Sequence, residues 1–261
     1  MYQGFKFELG DFIASIGANT YSKYYSYGSE FMAENKRKVQ AKLEKYLSPN
    51  GVLQASEIED DWFPKVQADV FLSHSHKDED HVLAFAGYLL EHGLKPFVDF
   101  TIWGYADKLL RAIDRKFFVS AWKPDGTIDT FSHEGSNYAA SHVYLLLNSA
   151  LEKMIDNTEC AIFLETPQSL IVSENYRETT SSVWIYSELL MTKLVRRKPL
   201  NRSVTANFRL DEAVQEAFKI EYEVDLSHLG NLTMFDLNQA TGHGLRGTQI
   251  LDYLYRALEE E

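Results

Sequence analysis

Cysteine is nearly absent: Cys160 is the only one in 261 residues. A single thiol cannot close an intramolecular disulfide, so no disulfide framework holds this fold, and a reducing compartment is expected. Cys160 opens the apolar run Cys160–Leu164, which suits a buried, inert thiol better than a nucleophile. No apolar run approaches the roughly 18 to 20 residues that a membrane helix needs. The first twelve residues lack the cationic start and apolar core of a signal peptide. Together these features lead to the expectation of a cytoplasmic protein. Positive charge is also scarce: 26 Lys and Arg against 38 Asp and Glu leave a net charge of −12. Such a chain repels a phosphate backbone and gains nothing from counterion release, so neither nucleic acid nor a membrane is expected as a partner. The local basic group Lys193, Arg196, Arg197 and Lys198 fits a favourable end to a helix rather than a binding patch.

What is present is ordinary globular composition, with 45% hydrophobic and 25% charged residues. Residues 1–66 read as a partly helical N-terminal extension packing on a main domain of residues 67–261. Thr20 to Tyr27 is rich in tyrosine and serine without a period. Ser29 suits a helix N-cap, and Phe31, Met32, Val39, Leu43, Tyr46 and Leu47 give a partial helical stripe. Asn50-Gly51 is a turn signal.

From Ala68 onward, strand and helix patterns alternate. Strands are expected at Val70 to Leu72, Leu94 to Phe100, Cys160 to Leu164 and Ile220 to Leu226, with a weaker one at Leu200 to Val204. Helices are expected at Asp78 to Gly93, Ala106 to Ile113, Ser141 to Asp156, Thr180 to Arg197 and Thr248 to Leu258. Lys116 to Ser136 is irregular around the turn Pro124-Asp125-Gly126. The alternation implies an α/β fold with a mostly parallel central sheet of about five strands flanked by helices. Ligands of such sheets bind beyond the carboxyl ends of the strands. That points to the loops at Ser73 to Asp80, Phe100 to Asp107 and Glu165 to Thr180.

Three chemistries are suggested by local patterns. Ser73 to His81 reads SHSHKDEDH after a strand, and His74, His76 and Asp78 partly match a metallo-β-lactamase ligand run. His81 arrives two positions late for that motif, and capping of the next helix explains the acids. Gly242, Gly244 and Gly247 spell a dinucleotide fingerprint, but 14 residues remain after Gly247. That leaves no room for the βαβ unit, so a loop before the last helix is expected. Lastly, Trp184 and Glu188 lie one turn apart on one helical face. The apolar neighbours Val183, Ile185, Leu189, Leu190 and Met191 suggest that Glu188 is partly buried near the ligand end of the sheet.

Four blocks in order resemble a TIR domain. They are Asp69-Val70-Phe71-Leu72-Ser73-His74-Ser75 with Lys77-Asp78; Val98-Asp99 with Trp103-Gly104 and Ala106-Asp107; Ala161 to Thr166; and Ser181-Ser182-Val183-Trp184 through Glu188-Leu189. They span Ala68 to about Lys198, and the pattern is most similar to bacterial TIR proteins of Thoeris-like antiphage defence. The resemblance implies a flavodoxin-like TIR fold and cleavage of the nicotinamide–ribose bond of NAD+, which serves as substrate. No cofactor or metal is implied. It places the catalytic carboxylate on Glu188 and substrate contacts on Ser73, Ser75, Lys77, Asp99, Trp103, Asp107 and Trp184. It also implies self-association through TIR domains and a nucleotide product acting on a separate effector protein. A non-catalytic TIR scaffold is the main alternative, and a metallohydrolase using His74, His76 and Asp78 is the third.

Overall fold

The computed structural model describes residues 1–36, 53–55, 57–58, 67–98, 100–172, 178–195 and 222–259. The chain opens with strand β1 (Gln3–Glu8) and helices α1 (Leu9–Ser15) and α2 (Ala18–Lys36). Strand β2 (Val70–Ser73), a 3-10 turn (His76–Asp78), helix α3 (Glu79–Glu91) and strand β3 (Pro96–Val98) follow. Next come helix α4 (Phe100–Phe117), the hairpin strands β4 (Val119–Trp122) and β5 (Ile128–Phe131), and helix α5 (His133–Asn157). The chain then forms β6 (Cys160–Glu165), β7 (Ile171–Val172), β8 (Glu178–Thr180) and helix α6 (Val183–Leu194). It closes with β9 (Tyr222–Glu223), β10 (Gly230–Leu232), α7 (Met234–Gly242) and α8 (Thr248–Glu259).

Five parallel strands form the central sheet in the order β10-β1-β6-β2-β3. With helices flanking it, this is an α/β fold consistent with a flavodoxin-like architecture. From β2 the chain moves outward to β3, then returns to place β6 on the other side of β2. The strand order therefore reverses between β2 and β6, the position at which such sheets open a ligand crevice.

Strands β2 and β6 are buried almost throughout, as expected of continuous apolar runs in a parallel sheet. On one face, Phe5 stacks on Tyr255 of α8 and Phe7 on Phe85 of α3, with centroids 6.0 and 4.9 Å apart. On the opposite face, Phe163 packs with Ile185 and Leu189 of α6 and with Val224, Leu226 and Leu229. Ser73 is paired in register with Phe163, so its side chain points to the face that α6 covers.

The expected N-terminal extension is corrected. Two compact units divide the chain: one comprises 1–33, 66–98 and 152–261, the other 34–65 and 99–151. β1 lies inside the sheet, hydrogen-bonded between β6 and β10. Its alternating Phe5 and Phe7 are fully buried, which an appended segment would not achieve. Helix α2 crosses α3 in backbone contact at Gly28 and Gly87, where an added Cβ would meet the carbonyl oxygens of Leu83 and Tyr24.

Other boundaries shift. The expected loop at Phe100 to Asp107 is the opening of α4, since it carries no proline to stop a helix. The irregular segment after Lys116 is a hairpin turning at Gly126, and α5 begins earlier than expected, at His133. The expected strand at Leu200 to Val204 lies outside the described residues. The glycine run before α8 is a loop as expected, with Gly244 and Gly247 at φ +74° and +54°. No helix among the described residues is long and apolar enough to cross a membrane.

Candidate functional site

Helix α6 starts at Ser182, whose side chain accepts from Ile185 N at 3.3 Å. This N-cap fixes the phase of the helix. Ile185, Glu188, Leu189 and Thr192 then share the buried face at the spacing of an inward helical stripe. One of those four inward positions is a carboxylate. Glu188 is 2% exposed, and Ser73 Oγ donates to its Oε2 at 2.6 Å. That is a short bond within the ordinary O–H···O range. Ser73 is itself 2% exposed and ends β2, so the bond fastens α6 to the carboxyl edge of the sheet beside the β2–β6 reversal. Trp184, one turn before Glu188, is half-buried at the margin of the stripe.

The first loop is built on the same edge. Ser75 caps the 3-10 turn by accepting from Lys77 N at 3.4 Å, while Lys77 is exposed. Asp78 does not cap α3, as the acidic run suggested. Its Oδ2 instead accepts from Thr166 Oγ1 at 2.6 Å, tying the first loop to the end of β6. Thr166 N in turn donates to Ser169 Oγ, and Ser169 Oγ donates back to Leu164 O. The rings of His74 and His76 lie edge to face at 6.2 Å, with His74 buried. Among the described residues, no three His, Cys, Asp or Glu side chains gather as a metal site would require.

The edge is acidic. Glu8 and Glu165 stand side by side at the ends of β1 and β6. Burial raises the Glu165 carboxyl above the ordinary carboxylate range; Lys6, 4.0 Å away, opposes the rise, while Glu178 and Glu8 add to it. Sequence patterns missed Lys6 and Glu8 as members of this edge and, although the expected loop at Glu165 to Thr180 begins there, did not single out Glu165 or Thr166. Their only signal was position at a strand end, and for Lys6 and Glu8 the strand itself went unseen. Cys160 is fully buried, and burial pushes its thiol far above the usual range, as an inert cysteine requires.

Of the eight residues implied by the TIR resemblance, Ser73 and Glu188 are joined directly. Ser75, Lys77 and Trp184 lie on the elements that flank them. Asp107 is exposed on α4, in the other compact unit. Asp99 and the side chain of Trp103 lie outside the described residues. Comparison of the chain with protein-family models, with curated proteins and with solved structures finds no match.

Proposed function

We propose that the protein is a TIR-like enzyme that cleaves the nicotinamide–ribose bond of NAD+. One observation carries this: a glutamate buried on the first turns of α6 is held by a serine at the carboxyl edge of β2. The TIR-like blocks supply the choice of substrate. Nicotinamide is already cationic in NAD+, so the C1′–N bond can break with its electron pair leaving on neutral nicotinamide. No acid needs to protonate the leaving group. The ribosyl fragment develops oxocarbenium character, as in glycoside hydrolysis. A fixed carboxylate offsets that charge and accepts hydrogen bonds from ribose hydroxyls. Water then gives ADP-ribose with loss of a proton, whereas an internal nucleophile gives a cyclic isomer. A cyclic or conjugated product would serve as a signal to a separate effector in antiphage defence, with self-association completing the assembly.

The test is nicotinamide release from NAD+ by concentrated protein, followed by chromatography with mass detection. Glu188→Gln keeps the acceptor for Ser73 but removes the charge, and release is expected to fall by about 100-fold or more. Ser73→Ala leaves the charge without its tether and is expected to cost about tenfold or more, since a bond to a buried charge is worth roughly 1.5–3 kcal/mol. Release that persists unchanged in Glu188→Gln refutes the assignment. The near-complete burial of the Ser73–Glu188 pair also favours a second reading, a non-catalytic TIR-like scaffold in which the pair only fastens α6 to the sheet. That reading expects no release at any protein concentration and a lowered melting temperature in both variants.

A further inference from the structure

The second compact unit contains a cleft of about 390 Å³ between the C-terminal half of α4 and the β4–β5 hairpin, lined by Arg111, Asp114, Arg115, Ile128 and Phe131. Its size falls within the range of small-molecule sites. Arg111, Asp114 and Arg115 share one face of α4, three and four positions apart. A surface ion network is the plain explanation of such a trio, and it would leave the aspartate accepting from a guanidinium. Instead, Asp114 Oδ1 is buried without a hydrogen-bond partner among the described residues. Neither arginine makes an ion pair with a described residue. The cleft therefore offers two guanidinium forks without an ion pair among the described residues, one buried acceptor and an apolar wall. Guanidinium forks match phosphate oxygens. A buried carboxylate oxygen calls for an N–H donor. The ring of Phe131 suits a flat heterocycle.

We propose that this cleft is a small-molecule site for a nucleoside monophosphate, with the phosphate on Arg111 and Arg115, the base against Phe131 and Ile128, and a base N–H donating to Asp114. The site is separate from the Ser73–Glu188 centre and does not rest on NAD+ cleavage. Titration calorimetry on the full chain carrying Glu188→Gln, which removes turnover, tests it with GMP, AMP, guanosine and inorganic phosphate as probes. Saturable one-to-one binding of GMP or AMP is expected, about tenfold or more tighter than guanosine or phosphate alone. The double variant Arg111→Gln/Arg115→Gln is expected to weaken that binding by about tenfold or more with an unchanged melting temperature, because both side chains are exposed. Phe131→Ala provides an independent check and is expected to weaken binding while sparing inorganic phosphate. Failure of both nucleotides to bind overturns the proposal. Binding that survives the double arginine variant also overturns it, because the nucleotide would then be seated elsewhere.

Discussion

Glu165 illustrates what a single residue contributes at the edge of the sheet. Its carboxyl is raised by burial, with Lys6 opposing and Glu178 and Glu8 adding. The folded chain therefore holds this proton more tightly than the unfolded chain. The stability that follows is fully present below the unfolded carboxylate value and is lost as pH rises through the folded value. Glu165→Gln removes that dependence. The melting temperature of the variant minus that of the native protein should thus increase over the interval that opens at the unfolded glutamate value of about 4.3 and runs upward in pH. A constant difference across that interval would show that Glu165 is not perturbed. Ser73 and Glu188 were both legible in the sequence as candidates. Neither local pattern contained the bond between them, which joins positions 115 residues apart.

At the scale of elements, α2 and α3 are the informative pair. Gly28 and Gly87 let two helix backbones touch, and Tyr24, Tyr88 and Phe12 pack around the crossing. Lys23 and Glu91 close its exposed side at 2.8 Å. Gly87→Ala places a methyl group against the Tyr24 carbonyl, which is backbone and cannot swing aside. Loss of about 1–3 kcal/mol in urea unfolding is expected, despite the better helix propensity of alanine. An unchanged or raised midpoint would mean that the helices do not meet there. The tyrosine-rich stretch of α2 had no readable period because its aromatics do not form one buried stripe: Tyr21 and Tyr24 meet His81 and Tyr88 of α3, Tyr25 stacks on Tyr21, and Tyr27 is exposed. Helix α7 was missed although its signal was present. Thr233 and Asp236 form a reciprocal capping box, with aspartate in place of the usual glutamate or glutamine. The loop expected at Phe100 to Asp107 was a misjudged boundary, because helical patterning there begins before its apolar stripe becomes regular.

At the scale of the whole molecule, the decisive feature is β1. It supplies the strand between β6 and β10, and its Phe5 and Phe7 join the core shared with α3 and α8. Were residues 1–66 an appendage, deletion of 3–8 would leave a folded domain. With β1 in the sheet, the deletion removes hydrogen bonds on both of its sides and two buried phenylalanines, each worth about 1.5–3 kcal/mol. The deleted protein is expected to lose cooperative unfolding and native circular dichroism. Retention of a cooperative melt would restore the idea of a separate extension.

Local periodicity was enough to establish the α/β class, the parallel character of the sheet, the strand at Val70 and the helix that carries Glu188. Buried strands and amphipathic helices write their burial directly into neighbouring residues. The same local signal placed Ser73 at a strand end and Glu188 on an apolar helical face. Tertiary structure alone decided that Gln3–Glu8 enters the sheet, that Asp78 answers Thr166 across 88 positions, and that Ser73 holds Glu188. Strand neighbours and buried hydrogen-bond partners are chosen by which surfaces meet once the chain has folded, and no short window of sequence contains both halves of such a pair.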